Sequence, residues 1–177
     1  MQEAPIPLDE ERRIALLHSL GILDTEPEER FDRITRLASA LFDAPIAVVS
    51  LVDVNRQWFK SCIGLPVSET DRSVSFCGHA LDRLDALVVE DATRDPRFAD
   101  NPLVVGDPHI RFYAGHPLRI EVAQGERRSA VGTLCIIDRV PRQLDERERA
   151  LLADLAHLVE QELGSVELAR ATAALAE

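Results

Sequence analysis

The chain has 177 residues, 46% of them hydrophobic and 29% charged, with a formal net charge of −11. That length and balance suit one globular domain with its own core and exclude the disordered and membrane-embedded classes. The surplus of carboxylates opposes phosphate backbones and anionic lipid surfaces, so neither nucleic acid nor a membrane is an expected partner. The longest apolar stretch, residues 44–52, contains Pro45 and Ser50 and falls far short of the ~20 residues of a spanning helix. Three widely spaced cysteines, Cys62, Cys77 and Cys135, are an odd number, and no basic run precedes an apolar core at the N-terminus. Both features predict a reduced, cytoplasmic protein.

Asp9, Glu10 and Glu11, followed by Ile14, Leu17 and Leu20 and then Gly21, predict a short helix with an acidic first turn and a glycine stop. A second helix is expected from Thr25 as its cap, with Glu28 completing the capping box and a stripe of Phe31, Ile34, Leu37, Ala38, Leu41 and Phe42. After Pro45 two β-rich runs, 46–53 and 57–63, read as a hairpin. Residues 74–84 are helix-like and 87–89 a short strand. Residues 91–108, punctuated by Pro96, Pro102, Gly106 and Pro108, read as a loop with one helical turn at 96–99 capped by Asp95. Strands at 110–120 and 130–137 flank a polar stretch at 124–129. A last helix opens on Asp145 and Glu148 and runs toward Glu177. Its positions Leu152, Leu155, Val159, Glu162, Val166, Ala169 and Ala173 step by three and four, a heptad seam. Its first half is expected to pack on the sheet; its second half is a candidate dimer seam or a link to another module. The element order predicts an α+β domain on an antiparallel sheet, with residues 1–22 an N-terminal helical segment, 23–160 the domain and 161–177 a helical extension.

The most distinctive tripeptide is Cys77-Gly78-His79. On a helix, residues two apart lie about 200° from each other, so a thiol turned inward leaves the imidazole pointing away and the pair is a poor metal half-site. No metal site is expected. No Gly-x-Ser-x-Gly elbow, His-Glu-x-x-His helix or phosphate-cradling Gly-Lys-Ser/Thr loop occurs. Asp91, Asp95 and Asp100 could be imagined as acid and base, but they stand in turn-rich sequence, where aspartate caps backbone. No catalytic residue is predicted.

Several segments, in order, resemble a GAF domain of the bacterial sensory subtype often found ahead of diguanylate cyclase or histidine kinase modules. They are Gly21-Ile22-Leu23-Asp24-Thr25 with Phe31-Asp32, Val49-Ser50-Leu51-Val52-Asp53 with Gln57-Trp58-Phe59-Lys60, Ser75-Phe76-Cys77-Gly78-His79, the run from Asp95-Pro96-Arg97-Phe98 to Asn101-Pro102, Ile110-Arg111-Phe112-Tyr113-Ala114-Gly115, and Gly132-Thr133-Leu134-Cys135-Ile136-Ile137-Asp138. The resemblance implies a central antiparallel sheet of about six strands, the terminal helices bundled on one face, and a small-molecule pocket beneath a helix and loop on the other. It names no ligand, since the fold hosts several kinds or none. Gly78 interrupts the Cys-His pair that carries a bilin in photosensory members, so no tetrapyrrole or other cofactor is expected. The cyclic-nucleotide signature is absent, because the single lysine, Lys60, follows Phe59. In the members that reduce free methionine sulfoxide, the nucleophilic thiol falls where Phe112 stands here, and a phenyl ring forms no sulfenic acid.

The candidate pocket residues are Trp58, Phe59, Phe76, Cys77, His79, Arg97, Phe98, Arg111, Phe112 and Tyr113: apolar walls with a few polar hooks. Arg97 or Arg111 could fork onto an anion, or Arg97 could pin its loop through Asp95, Asp100 or Asp91, with Phe98, Phe112 and Trp58 in the core. The expected function is a small-molecule-sensing or regulatory domain, not itself an enzyme, with an unknown effector, a homodimer through the terminal helices and a signalling enzyme in cis or in trans. Two alternatives stay open: a sulfoxide reductase or thiol redox sensor on Cys77, and an empty dimerising scaffold.

Overall fold

The computed structural model describes residues 1–121 and 127–176. Of the polar stretch expected at 124–129, residues 124–126 lie outside the described residues. Helix α1 (Glu10–Leu20) ends on Gly21, which takes the left-handed conformation at φ 49°. Asp9 does not cap it; its carboxylate instead accepts from the Ser129 hydroxyl at 2.8 Å. The inward face of α1 is Arg13, Leu16, Leu17 and Leu20, and the expected Ile14 is only half-buried.

Helix α2 (Glu29–Phe42) starts later than the Thr25 box predicts, with Glu28 in the cap position. A residue before proline disfavours the helical conformation, and the Thr25 hydroxyl donates to the Ile22 carbonyl while accepting from the Lys60 ammonium, so it has no capping role. The α2 stripe is also rotated: Phe31, Ile34, Thr35, Ala38 and Phe42 face inward, leaving Leu37 and Leu41 exposed at 43% and 55%.

Strands β1 (Ile46–Val52), β2 (Arg56–Ile63), β3 (Glu69–Asp71), β4 (Leu87–Val89), β5 (Phe112–Ile120) and β6 (Ser129–Asp138) form one antiparallel sheet in the order β3-β2-β1-β6-β5-β4. β1 and β6 are buried along nearly their whole length and lie at the centre. They approach closely at Gly132, where a Cβ would run into the Ser50 carbonyl oxygen. Period-two alternation gives the sheet two apolar faces. Ala47, Val49, Leu51, Trp58, Phe112, Ala114, Leu134 and Ile136 pack against α1, α2 and the long C-terminal helix. Ile46, Val48, Phe59, Tyr113, Cys135 and Ile137 face a layer made by residues 76–81 and 98–110.

The second layer departs most from expectation. Residues 74–84 are not a helix: one 3-10 turn, Arg72–Val74, ends where the segment begins, and a second, Cys77–Ala80, lies within it. Gly78 weakens a helix here, the Ser75 hydroxyl takes the Gly78 N–H at 2.9 Å, and Leu84, 82% exposed, adds no buried stripe. Asp91 caps a further turn, Ala92–Arg94, and the Asp95 turn forms as expected: its carboxylate accepts from the Arg97 N–H and its carbonyl from the Phe98 and Ala99 N–H groups. A short helix α3 (Pro102–Val105) follows, with Asn101 at its cap and proline in its first turn, inside the segment expected to be irregular.

The capping box of Asp145 and Glu148 opens α4 (Glu146–Leu175). Leu152, Leu155 and Val159 of the expected seam are buried against the protein's own sheet and helices. Val166 packs partly on the same core and Glu162 pairs with Arg30 at 3.4 Å, while Ala169 and Ala173 are exposed.

Candidate functional site

Between the second face of the sheet and its covering layer lies a cavity of about 220 Å³. Its floor is Val48 and Ser50 of β1, Gln57 and Phe59 of β2, Tyr113 of β5, and Cys135 and Ile137 of β6. Leu65, Pro66, Val67 and Thr70 close one side, Phe76 and Cys77 another, and Leu103, Asp107, Pro108 and Ile110 form the lid.

Four of the ten sequence candidates, Phe59, Phe76, Cys77 and Tyr113, line this cavity. Trp58 and Phe112 do not: each precedes a lining residue on its strand, so alternation turns both to the helix face, where they are 7% and 0% exposed. The β5 position facing the cavity is therefore Tyr113, and it carries no thiol. Phe98 stands behind the wall, stacked on Phe76 with centroids 4.0 Å apart and planes 8° from parallel. His79 sits edge-on to Phe98 at 4.8 Å, and its Nε2–H donates to the Gln2 carbonyl at 3.1 Å; burial lowers its pKa. Arg97 clasps Asp95 with bonds of 3.0 and 2.7 Å and lies over the Phe98 ring. Arg111 donates to the carbonyls of Val104 and Ile110, bracing the lid from outside. Both guanidiniums are thus spent on holding loops. The aspartates serve the same end: Asp91 accepts from Thr93, Asp95 from Arg97, and Asp100 pairs with the N-terminal amine.

The cavity has a polar end and a thiol floor. At the polar end the Gln57 Oε1 accepts from the Ser50 and Ser75 hydroxyls at 3.3 and 2.9 Å, while its Nε2–H₂ donates to the Thr70 oxygen at 2.5 Å. On the floor the Tyr113 hydroxyl donates to the Cys77 Sγ at 3.3 Å. A hydrogen bond from the Cys135 thiol, opposed by burial and helped by the Tyr113 hydroxyl, draws the Cys77 thiol down to about 6. The same bond, with burial, pushes Cys135 up, so the two sulfurs act as one acid that gives up a single proton. Burial likewise raises Tyr113. Among the described residues that line the cavity there is no imidazole, and Asp107 is the one carboxylate.

Ser50, Gln57, Thr70, Leu103, Ile110 and Cys135 line the cavity but were not among the candidate pocket residues. Alternation from Phe59 would have reached Gln57, and alternation from Val48 would have reached Ser50. The lid residues lie in a loop whose path the sequence leaves open. Among the described residues no cluster of three or more potential ligands could hold a metal, and no helix is long and apolar enough to cross a membrane.

A family model described as GAF domain matches residues 26–163. A cyclic di-GMP phosphodiesterase of Pseudomonas aeruginosa is 46% identical over 160 residues, which are 90% of this chain and 26% of that protein. The chain thus spans about a quarter of the length of this relative. Among solved structures, the GAF domain of an Acinetobacter phosphoenolpyruvate-protein phosphotransferase matches at TM-score 0.58 and 18% identity, covering 94% of this chain and 98% of that one. A free methionine-R-sulfoxide reductase from Neisseria meningitidis, in complex with its substrate, matches at TM-score 0.62 and 17% identity, over 96% of this chain and 99% of the other. At these identities the solved structures show the fold alone. The six-stranded sheet order, the helices on one face and the family match over most of the chain lead to one assignment: this chain is a member of the GAF domain family.

Proposed function

We propose that this domain is a regulatory module that senses a small molecule in the cavity and transmits its occupancy through the sheet to the terminal helices. The observation that carries this reading is the sharing of strands between the two layers. Cys135 and Ile137 line the cavity while Leu134 and Ile136 pack on the helices, and Tyr113 lines it while Phe112 and Ala114 do the same on the other side. A ligand that moves β5 or β6 on one face displaces helix contacts on the other, which is a population shift with a physical route. The thiols face a tyrosine rather than a base, which supports a regulatory role over a reductase.

The output we propose is a signalling enzyme, in cis or in trans, of the cyclic di-GMP turnover class named by the Pseudomonas relative. Placing this chain in the matching segment of that phosphodiesterase and introducing Leu103→Trp, which fills the cavity from the lid, should change cyclic di-GMP hydrolysis several-fold. Hydrolysis equal to that of the unsubstituted graft contradicts the reading. We place the module in the cytoplasm, in keeping with three unpaired cysteines.

Dimerisation belongs to the far half of α4. There Leu168 and Leu175 are 70% and 89% exposed, one heptad apart, and Leu158, 44% exposed, lies ten residues before Leu168, a heptad plus three, on the same stripe. A homodimer closed on this stripe is the expected state in light scattering, and Leu168→Glu should yield a folded monomer. A native chain that is monomeric at high concentration removes the dimer from the proposal.

A further inference from the structure

We infer that the cavity is built for an uncharged, mainly apolar small molecule carrying one hydrogen-bond acceptor, and that it rejects anions, nucleotides included. The inference rests on the proposed sensing role of the same cavity and narrows its ligand. Among the described residues no arginine or lysine lines the cavity; Asp107 stands at the mouth with its side chain fully exposed, 3.6 Å from the His109 imidazole, and the acidic Cys77–Cys135 pair on the floor adds only negative charge. A phosphate or carboxylate drawn inside would be buried without a counter-charge, at a cost of several kcal/mol. The two arginines expected as anion hooks do not line it: Arg97 is held by Asp95 and Arg111 by backbone carbonyls. A carboxylate at the mouth adds repulsion to anything negative that approaches.

The remaining hydrogen-bonding capacity sets the polarity of the ligand. Two serine hydroxyls converge on the Gln57 oxygen and saturate it, while its amide nitrogen gives one of two hydrogens to Thr70. The donors left over are the second Gln57 N–H and the Thr70 O–H. The matching ligand group is therefore a hydroxyl, ether or carbonyl oxygen. The rest of the wall is apolar, from Val48, Phe59, Phe76 and Ile110. A dry apolar cavity of about 150 Å³ accommodates benzene, so the 220 Å³ here fits a substituted single ring or a small fused pair.

Fluorine NMR with two probes of matched shape tests this on the full chain: 4-fluorophenol, neutral at pH 7, and 4-fluorobenzoate, an anion. Saturable shift or broadening of the 4-fluorophenol signal is expected, with no effect on 4-fluorobenzoate at equal concentration. Leu103→Trp should abolish phenol binding. Thr70→Val, a milder change on the sheet edge, should weaken it about five- to tenfold by removing one donor. No saturable 4-fluorophenol signal at millimolar concentration overturns the inference. Binding of 4-fluorobenzoate or of cyclic di-GMP in competition with the phenol overturns the neutral class while leaving a sensing role intact. Phenol binding that leaves hydrogen exchange in α4 unchanged does the reverse: the ligand class stands and the sensing role falls.

Discussion

Replacing Glu10 by alanine is expected to cost about 3–5 kcal/mol of folding stability, a large share of what a domain of this size has. Arg13 is fully buried; its Nη1 donates to the Val52 carbonyl at 2.6 Å, and its Nε and Nη2 hold the Glu10 carboxylate at 2.9 and 3.0 Å. Arg72, 8% exposed, grips the same carboxylate at 2.5 and 3.2 Å and also donates to the carbonyls of Asp53 and Val54. One carboxylate therefore neutralises two guanidiniums that join α1 to the β1–β2 turn, and its loss leaves both without their anion. Urea unfolding measures the effect, and a loss under 1 kcal/mol contradicts it. A double replacement, Glu10→Leu with Arg13→Met, should recover part of the loss, because it removes the buried charge along with its partner. The same carboxylate gives a pH signature. Burial alone would raise the Glu10 pKa, but the hydrogen bonds from Arg13 and Arg72 overcome it and hold it at about 2, against 4.5 for a free glutamate. A depressed carboxyl pKa contributes stability that is full above 4.5 and drains away as the pH falls through about 2. Glu10→Ala should flatten that acid limb.

Phe98→Ala should cost about 3–5 kcal/mol and open the wall behind the cavity. Phe98 is fully buried, stacked at 4.0 Å on Phe76, with His79 on its edge and the Arg97 guanidinium 5.1 Å from its ring. These contacts join the Asp95 turn to the turn carrying Cys77, and through Asn101, whose side chain donates to the Val74 carbonyl at 3.0 Å, to the start of the lid. Truncation removes the anchor of both segments. Denaturant unfolding reports the stability loss, and 4-fluorophenol affinity should fall with it. A loss below 1 kcal/mol would mean that the lid is held by other contacts.

The central strands and the start of the last helix were legible in the sequence, while residues 74–84 and the inward face of α2 were not. The two central strands read clearly because they are apolar throughout, and the capping box at Asp145 and Glu148 formed as written. The helix expected at 74–84 failed because Ser75 and Gly78 satisfy one another locally, so the segment resolves into 3-10 turns. Its main consequence survives: Cys77 faces the cavity, and His79 points elsewhere, onto Phe98 and the Gln2 carbonyl. The α2 stripe was misread at Leu37 and Leu41 because Thr35, a polar residue, takes the inward place through its hydroxyl contact with Ser61 at 2.8 Å. For the site, the order of the GAF-like segments located the right face, but adjacent strand residues were assigned to one side. Trp58 with Phe59, and Phe112 with Tyr113, must point opposite ways, so half of each pair belongs to the helix layer. The thiol partnership of Cys77 with Cys135 joins residues 58 positions apart, and only the sheet register brings them together.

The central claim, that cavity occupancy reaches the helices through shared strands, is tested most directly by hydrogen exchange on the full chain with and without 4-fluorophenol. Slowed exchange is predicted in the lid at 102–110, in β5 and β6, and in α4 over residues 152–163, where the helix rests on the sheet. Protection confined to the lid, with α4 exchanging as before, would contradict it.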